Sequence, residues 1–173
     1  MSAPTGLATR PTADRAKEGL FNMLGSRVVG AVFLDLFCGS GAVGIEALSR
    51  GAAQVVFVDN STAAIQAVER NVKAAKFTEG WEILKSPVNT ALRTLDKPFD
   101  IIFLDPPYES TLLEETLNTL ATLSLLSADG LIVAEMQVPQ RSGGPPEVPT
   151  FVFQQQRDYG KTRFLFYENG SGT

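Results

Sequence analysis

The sequence predicts an α/β fold: a seven-stranded, mostly parallel sheet with helices on both faces, ending in a C-terminal antiparallel hairpin. Three observations predict it. Short apolar runs alternate with amphipathic segments, the pattern of successive βαβ units. A glycine turn, Gly39-Ser40-Gly41-Ala42-Val43-Gly44, joins the first apolar run to the segment after it. Two late strand-like segments, Phe151–Arg157 and Arg163–Tyr167, flank a turn at Tyr159-Gly160, and strands so close can pair only antiparallel.

The elements follow in order. Thr12 is a candidate cap for a helix running to about Leu24, with Gly25 at its C′ position. Ala16, Leu20, Met23 and Leu24 share one face of it. Val32 to Phe37 is the first strand, and Ala42 to Arg50 a helix stopped by Gly51. Gln54 to Val58 is the second strand, ending at Asp59. Ser61 caps a long helix to about Lys76, with Ala64, Ile65, Val68 and Val72 inward. Trp81 to Leu84 is the third strand, followed by a short helix near Asn89–Leu95. Asp100 to Leu104 is the fourth strand, Leu112 to Leu123 a helix, and Leu131 to Glu135 the fifth strand. Gln140–Pro149, with Gly143-Gly144-Pro145-Pro146, is a loop. Residues 1–11 read as a flexible lead-in, 12–168 as a single domain and 169–173 as a frayed tail.

Bulk properties bound the chemistry. A chain of 173 residues, 44% hydrophobic, can bury one sizeable core. No apolar run approaches the roughly 20 residues that span a bilayer, and Met1 to Arg10 has no secretory h-region. One cysteine, Cys38, fits a reducing cytoplasm, the expected location. With no histidine, neither a His/Cys zinc cluster nor a His-based triad can form, and no metal is expected. The chemistry rests on carboxylates, backbone and a cofactor. The net charge of −4 argues mildly against non-specific nucleic-acid binding. Yet Arg10, Arg15, Lys17 and Arg27 crowd the start, and Arg157, Lys161 and Arg163 the end; the two groups either flank one surface or are ordinary solvated charges.

Gly39, Gly41 and Gly44 match G-x-G-x-x-G between a strand and a helix. Asp59 follows Gly39 by 20 residues, the position from which a carboxylate accepts from ribose hydroxyls. The turn alone fits a dinucleotide or another adenosine cofactor. Asp35, four residues before Gly39, discriminates between them. A buried carboxylate there would repel a pyrophosphate, whereas a cofactor carrying sulfonium and ammonium charges favours it. S-adenosylmethionine is such a cofactor.

Asp105-Pro106-Pro107-Tyr108 follows the apolar run Ile101–Leu104. Proline has a fixed φ and no N–H, so this corner is rigid and presents carbonyls. A carboxylate, an outward carbonyl and a stacking ring suit a planar group bearing an amino donor, such as a nucleobase.

Taken together, Asp35-Leu36-Phe37-Cys38-Gly39-Ser40-Gly41, Asp59 and the 105–108 corner resemble class I methyltransferases acting on exocyclic amino groups. The opening Thr9-Arg10-Pro11-Thr12-Ala13-Asp14-Arg15-Ala16-Lys17-Glu18-Gly19-Leu20-Phe21-Asn22, with Gly44-Ile45-Glu46-Ala47-Leu48-Ser49-Arg50-Gly51-Ala52, narrows the resemblance to the bacterial 16S rRNA (guanine(966)-N2)-methyltransferases. It runs from about Thr9 to Tyr167, and Tyr159-Gly160-Lys161-Thr162 resembles the family's closing hairpin. It implies the Rossmann-like class I methyltransferase fold, S-adenosylmethionine as cofactor, and 16S rRNA or a small-subunit assembly particle as partner, with no membrane and a monomeric enzyme. By this resemblance Arg10, Pro11, Thr12, Asp35, Phe37, Gly39, Ser40, Gly41, Asp59, Asn60 and Ser86 hold the cofactor. Asp105, Pro106, Pro107 and Tyr108 hold the base. Family members carry a short basic hairpin ahead of the Arg-Pro-Thr segment; nine residues precede Arg10, so that element is expected to be trimmed. Members also place an acid after strand three; Lys85-Ser86-Pro87-Val88-Asn89 has none, leaving Ser86 or a backbone N–H in that place. Cys38 reads as a packed thiol rather than a nucleophile.

Three other readings share parts of the pattern: an adenine-N6 methyltransferase with the same corner, a dinucleotide oxidoreductase, and a non-catalytic RNA-binding module retaining the fold. Asp35 and the corner disfavour the second, and the joint presence of Asp59 and Asp105 disfavours the third.

Overall fold

The computed structural model describes residues 11–108, 111–138 and 144–170. Seven strands, β1 (Val32–Leu36), β2 (Gln54–Asp59), β3 (Trp81–Lys85), β4 (Phe99–Leu104), β5 (Leu126–Gln137), β6 (Phe151–Tyr159) and β7 (Thr162–Asn169), form one sheet in the order β3-β2-β1-β4-β5-β7-β6. The pairs among β1 to β5 are parallel, and β7 runs antiparallel to β5 and β6. The order reverses at β1 and β4, and α/β folds bind ligands in the crevice above such a reversal.

Alternation of side chains along each strand builds two cores. Phe33, Val55, Phe57, Ile101, Phe103, Val133 and Phe164 pack on one face against α1 (Pro11–Leu24), α2 (Ala42–Ser49) and α3 (Thr62–Ala74). Leu34, Leu36, Val58, Ile102, Leu104, Ile132 and Tyr167 pack on the other face against α4 (Val88–Leu92) and α5 (Leu112–Leu123). Both faces of the central strands β1, β2 and β4 are buried, which is why these runs are nearly continuous in Val, Ile, Leu and Phe.

Several boundaries differ from the sequence expectation. Helix α1 starts at Pro11, one residue inside the expected lead-in, so Thr12 is a first-turn residue rather than the cap. Proline suits that opening position, where its missing N–H has no intrahelical acceptor in any case. Gly25 does adopt positive φ, 53°, and a 3-10 turn over Gly25–Val28 then leads toward β1. Strand β1 ends at Leu36 because Phe37 turns to φ 56°. Strand β5 begins at Leu126, five residues early. The Phe99 N–H donates to Leu125 O at 2.7 Å, and the Ser127 hydroxyl to Asp100 Oδ1 at 3.1 Å, so tertiary bonds draw a turn-like Ser-Ala-Asp-Gly into the strand. β7 reaches Asn169, where a frayed tail was expected to begin. The Asn169 amide donates to Ser127 O at 2.7 Å.

Candidate active site

The carboxylates gather at the carboxyl ends of the parallel strands. Asp35 on β1 pairs in register with Phe57 on β2 and Phe103 on β4, and Phe103 pairs with Val133 on β5. Two residues further along each strand stand Asp59, Asp105 and Glu135, so all four acids share the face covered by α1, α2 and α3. In that outer row β1 contributes nothing. Phe37, with φ 56°, leaves the strand path and packs into the opposite core. A gap therefore opens at the β1/β4 reversal between Asp59 on one side and Asp105 and Glu135 on the other.

The glycine turn is fastened from three sides. The Gly39 N–H donates to Asp59 Oδ2 at 3.0 Å, the Gly44 N–H to Asp35 Oδ2 at 3.0 Å, and the Asn71 side-chain amide to Ser40 O at 3.0 Å. Gly39 and Gly41 take φ of 55° and 82°, conformations that suit glycine. A Cβ on Gly39 would meet nothing within 4 Å, so the turn lies open there to an incoming ligand. Asp59 also accepts the Ser61 N–H at 2.9 Å through its other oxygen, which leaves lone-pair capacity on both oxygens. Asn60 is exposed beside it, and the Ser86 N–H donates to Asp59 O at 3.0 Å, which brings the end of β3 to the same rim. Asn71 gave no sequence signal, since a helical Asn is usually solvated.

Electrostatics set this site apart. Asp35 is 1% exposed. Burial, offset in part by the Gly44 N–H, holds its carboxyl well above the usual range, and Asp105, Asp59 and Glu135 add repulsion. Burial pushes Asp105 up to about 7; burial and then the charge of Asp105 push Glu135 up to about 8. Burial first, then Asp105 and Glu135, also raises Tyr108, whose ring remains 54% exposed at the mouth. Pro106 is buried and Pro107 exposed, so the corner is anchored on one side only. Burial, then Asp35 and Asp59, drives the Cys38 thiol upward, so it carries no thiolate. Among the described residues, no cluster of three or more acid, Cys or His side chains could hold a metal.

Glu135 was missed as a site residue. Its signal was present: an acid ending an apolar strand, as at Asp59 and Asp105. Arg10 lies outside the described residues, and Pro11 and Thr12 form the first turn of α1. That helix comes down from the carboxylate end, with Gly19 against the Tyr159 ring of the β6–β7 turn. Of the basic groups, Lys17 pairs with Glu46 at 3.5 Å, Arg27 with Glu168 at 3.3 Å and Arg163 with Asp158 at 2.7 Å. Arg15 lines a groove of about 370 Å³ with Tyr159, and Arg157 and Lys161 are exposed near the same turn. A larger cleft of about 670 Å³, lined by Pro145, Pro146, Phe151 and Tyr167, borders the other core, so cavity size does not mark the carboxylate site.

The family model described as Conserved hypothetical protein 95 matches residues 1–168. The chain belongs to this family. Among its relatives, YlbH of Bacillus subtilis (strain 168) is 39% identical over 171 residues, 97% of this chain and 92% of that protein. Ribosomal RNA small subunit methyltransferase D of Escherichia coli (strain K12) is 34% identical over 169 residues, 97% of this chain and 83% of that protein. The solved structure of yhhF from Escherichia coli superposes with a TM-score of 0.86 at 35% identity, covering 99% of this chain and 92% of that one. In this Conserved hypothetical protein 95 member, the seven-stranded sheet with its antiparallel β7 is the Rossmann-like methyltransferase fold expected from the sequence.

Proposed function

We infer that the protein is an S-adenosylmethionine-dependent methyltransferase that modifies the exocyclic N2 amino group of a guanine in 16S rRNA. One observation carries the reading: four carboxylates on one sheet face surround the gap at the strand reversal, and among the described residues no cation acts on Asp35, Asp105 or Glu135. Such a site calls for a cationic ligand, and the rRNA methyltransferase among its relatives supports RNA as the acceptor. The reading extends to a cytoplasmic monomer acting on the RNA alone or within a small-subunit assembly particle; among the described residues no helix is long and apolar enough to cross a membrane.

The residues fit the cofactor. Gly39 is open above its backbone, and Asp59 keeps acceptor capacity for ribose hydroxyls. Asp35, costly as an ion, is stabilised by an ammonium group. Ser40, Gly41, Asn60 and Ser86 would lie beside the cofactor, Phe37 would offer only its backbone because its ring packs into the opposite core, and Arg10, Pro11 and Thr12 are assigned to it from the family resemblance. The buried Asn89 Oδ1 on the segment after β3 has no hydrogen-bond partner, leaving an acceptor for an adenine amino group. When bound, S-adenosylmethionine supplies an electrophilic methyl group on sulfonium.

The corner handles the other partner. The guanine N2 lone pair is delocalised into the ring, which makes it a weak nucleophile. Asp105 and the Pro106 carbonyl accept its two hydrogens and so aim the lone pair, and Pro107 keeps the corner rigid. Correct alignment contributes up to about 7–11 kcal/mol. Tyr108 stacks on the base for about 1–3 kcal/mol, and its exposure lets a base splayed out of the RNA reach it. Arg15, Arg157 and Lys161, near the same end of the sheet, would meet RNA phosphates.

The test is transfer of labelled methyl groups to small-subunit RNA, with the product nucleotide mapped. Methylation at guanine N2 is the expected result. Cofactor binding with no transfer to any RNA would favour the non-catalytic module.

A further inference from the structure

We propose that Glu135 acts through Asp105 as its proton-sharing partner, holding Asp105 where it accepts an amino hydrogen and taking up the proton that the methylated nitrogen releases. The proposal rests on the amino-methyltransferase reading given above. Its geometry comes from the register. Leu104 on β4 pairs with Ala134 on β5, so Asp105 and Glu135 are the next residues on adjacent parallel strands and point to one face, with strands about 4.7–4.9 Å apart. On its other side Glu135 pairs with Phe164 of β7, whose ring contacts those of Phe103 and Tyr159 at centroid distances of 6.4 and 6.0 Å. Those rings line the side of Glu135 away from Asp105, and Glu135 itself is half-buried.

Among the described residues no cation acts on either carboxyl. Asp35 from β1 and Tyr108 from the corner after β4 are coupled to the pair, and the Tyr159 ring packs against the same core. On the hairpin, Arg163 alternates to the other face of β7 and is bonded to Asp158 at 2.7 Å, while Arg157 shares the face of Glu135 but stands beyond Phe164, two strands away, and is exposed. Two carboxyls so placed cannot easily both ionise: burial raises Asp105 to about 7, and burial and then the charge of Asp105 raise Glu135 to about 8. They hold about one proton between them near neutrality.

The chemistry needs such a pair. The N2 lone pair forms the new N–C bond, and the C–S bond breaks with its electrons left on sulfur. The nitrogen then carries an extra positive charge. One N–H bond yields its electrons to nitrogen and its proton to an Asp105 oxygen, and the Asp105–Glu135 pair passes a proton to solvent. Every atom is accounted for without a further co-reactant.

The test reads the pair with and without turnover. Carbon-detected NMR of the ligand-free protein follows the Glu135 carboxyl from pH 4 to 10. In Asp105→Asn its midpoint should fall by about half a pH unit or more, because the charge of the ionised Asp105 beside it is gone. An unchanged midpoint overturns the pairing. In single-turnover methyl transfer, Glu135→Gln should slow the step about 10–100-fold and remove the inflection of the pH profile near 8, while Glu135→Asp recovers part of the rate. An unaltered rate and profile in Glu135→Gln overturns the proton-transfer role. Wild-type protein that transfers no methyl group to small-subunit RNA overturns the functional reading itself. That failure is told apart from failure of the pairing because the carboxyl titration uses no substrate.

Discussion

Asp59 holds Gly39 in place: the Gly39 N–H donates to Asp59 Oδ2 at 3.0 Å, tying the turn after β1 to the end of β2. The carboxylate thus shapes the turn and, on the proposed function, would also receive ribose hydroxyls. Asp59→Ala removes both, and cofactor affinity should fall about 10–100-fold, or roughly 1.4–2.7 kcal/mol. Asp105→Ala should leave affinity within about threefold while lowering the methyl-transfer rate at least 100-fold. Calorimetry with S-adenosylmethionine, set beside turnover, separates the two. Equal loss of binding and rate in both variants contradicts the division of labour.

Packing around the turn makes a second prediction. A Cβ on Gly44 would stand 2.9 Å from both Phe57 Cζ and Val55 Cγ1. Gly44→Ala therefore overpacks the α2–β2 contact and should destabilise by about 1–3 kcal/mol. Thermal unfolding reads the loss, and a midpoint equal to that of the wild type would refute this account of the third glycine.

The raised carboxyls also make stability depend on pH. Asp105 near 7 and Glu135 near 8 lie above their unfolded values of about 3.9 and 4.3. Between roughly pH 4 and 8 the folded state therefore binds more protons than the unfolded state, and these two groups lower stability as pH rises. Their protonated contribution is complete below about pH 4 and gone above about pH 8. Glu135→Gln, which stays neutral, should raise the unfolding temperature at pH 8 by about 3–10 °C, for roughly 1–3 kcal/mol, and change it little at pH 4. A gain independent of pH would point to packing instead of charge.

Cys38 offers a chemical check. Burial and the nearby Asp35 and Asp59 keep its thiol protonated, and the thiolate is the reactive form. Alkylation by iodoacetamide in the folded protein should stay at least 100-fold slower than for a free thiol from pH 7 to 9, and become rapid on denaturation. Mass spectrometry of timed samples measures it.

The β6–β7 turn makes a prediction about RNA. Arg157 and Lys161 are exposed and make no ion pair among the described residues. Arg157→Glu with Lys161→Glu should raise the KM for RNA about tenfold or more, leave cofactor affinity alone, and reduce the slope of log affinity against log salt by about 2. An unchanged slope would move the phosphate contacts elsewhere.

The sequence by itself determined the order of strands and helices, the glycine turn and the acids that end β2 and β4. These depend on neighbours a few residues away: an apolar run ends, a carboxylate follows, a glycine or Ser61 starts the next helix. Only the tertiary structure decided which of them meet. Glu135 is as plain in the chain as Asp105, yet their partnership exists only because β4 and β5 lie side by side with Leu104 against Ala134. The same holds for Gly19 beneath Tyr159, and for Ser127 drawn into β5 by Asp100. Phe37 was legible as the last residue of the first strand, one residue beyond where that strand ends. That it turns away to leave a gap above β1 depends on the opposite core accepting its ring. Local preferences act over one or two turns of chain, whereas register and face are set by burying both sides of the sheet at once, and the charges around the site take their values from that burial.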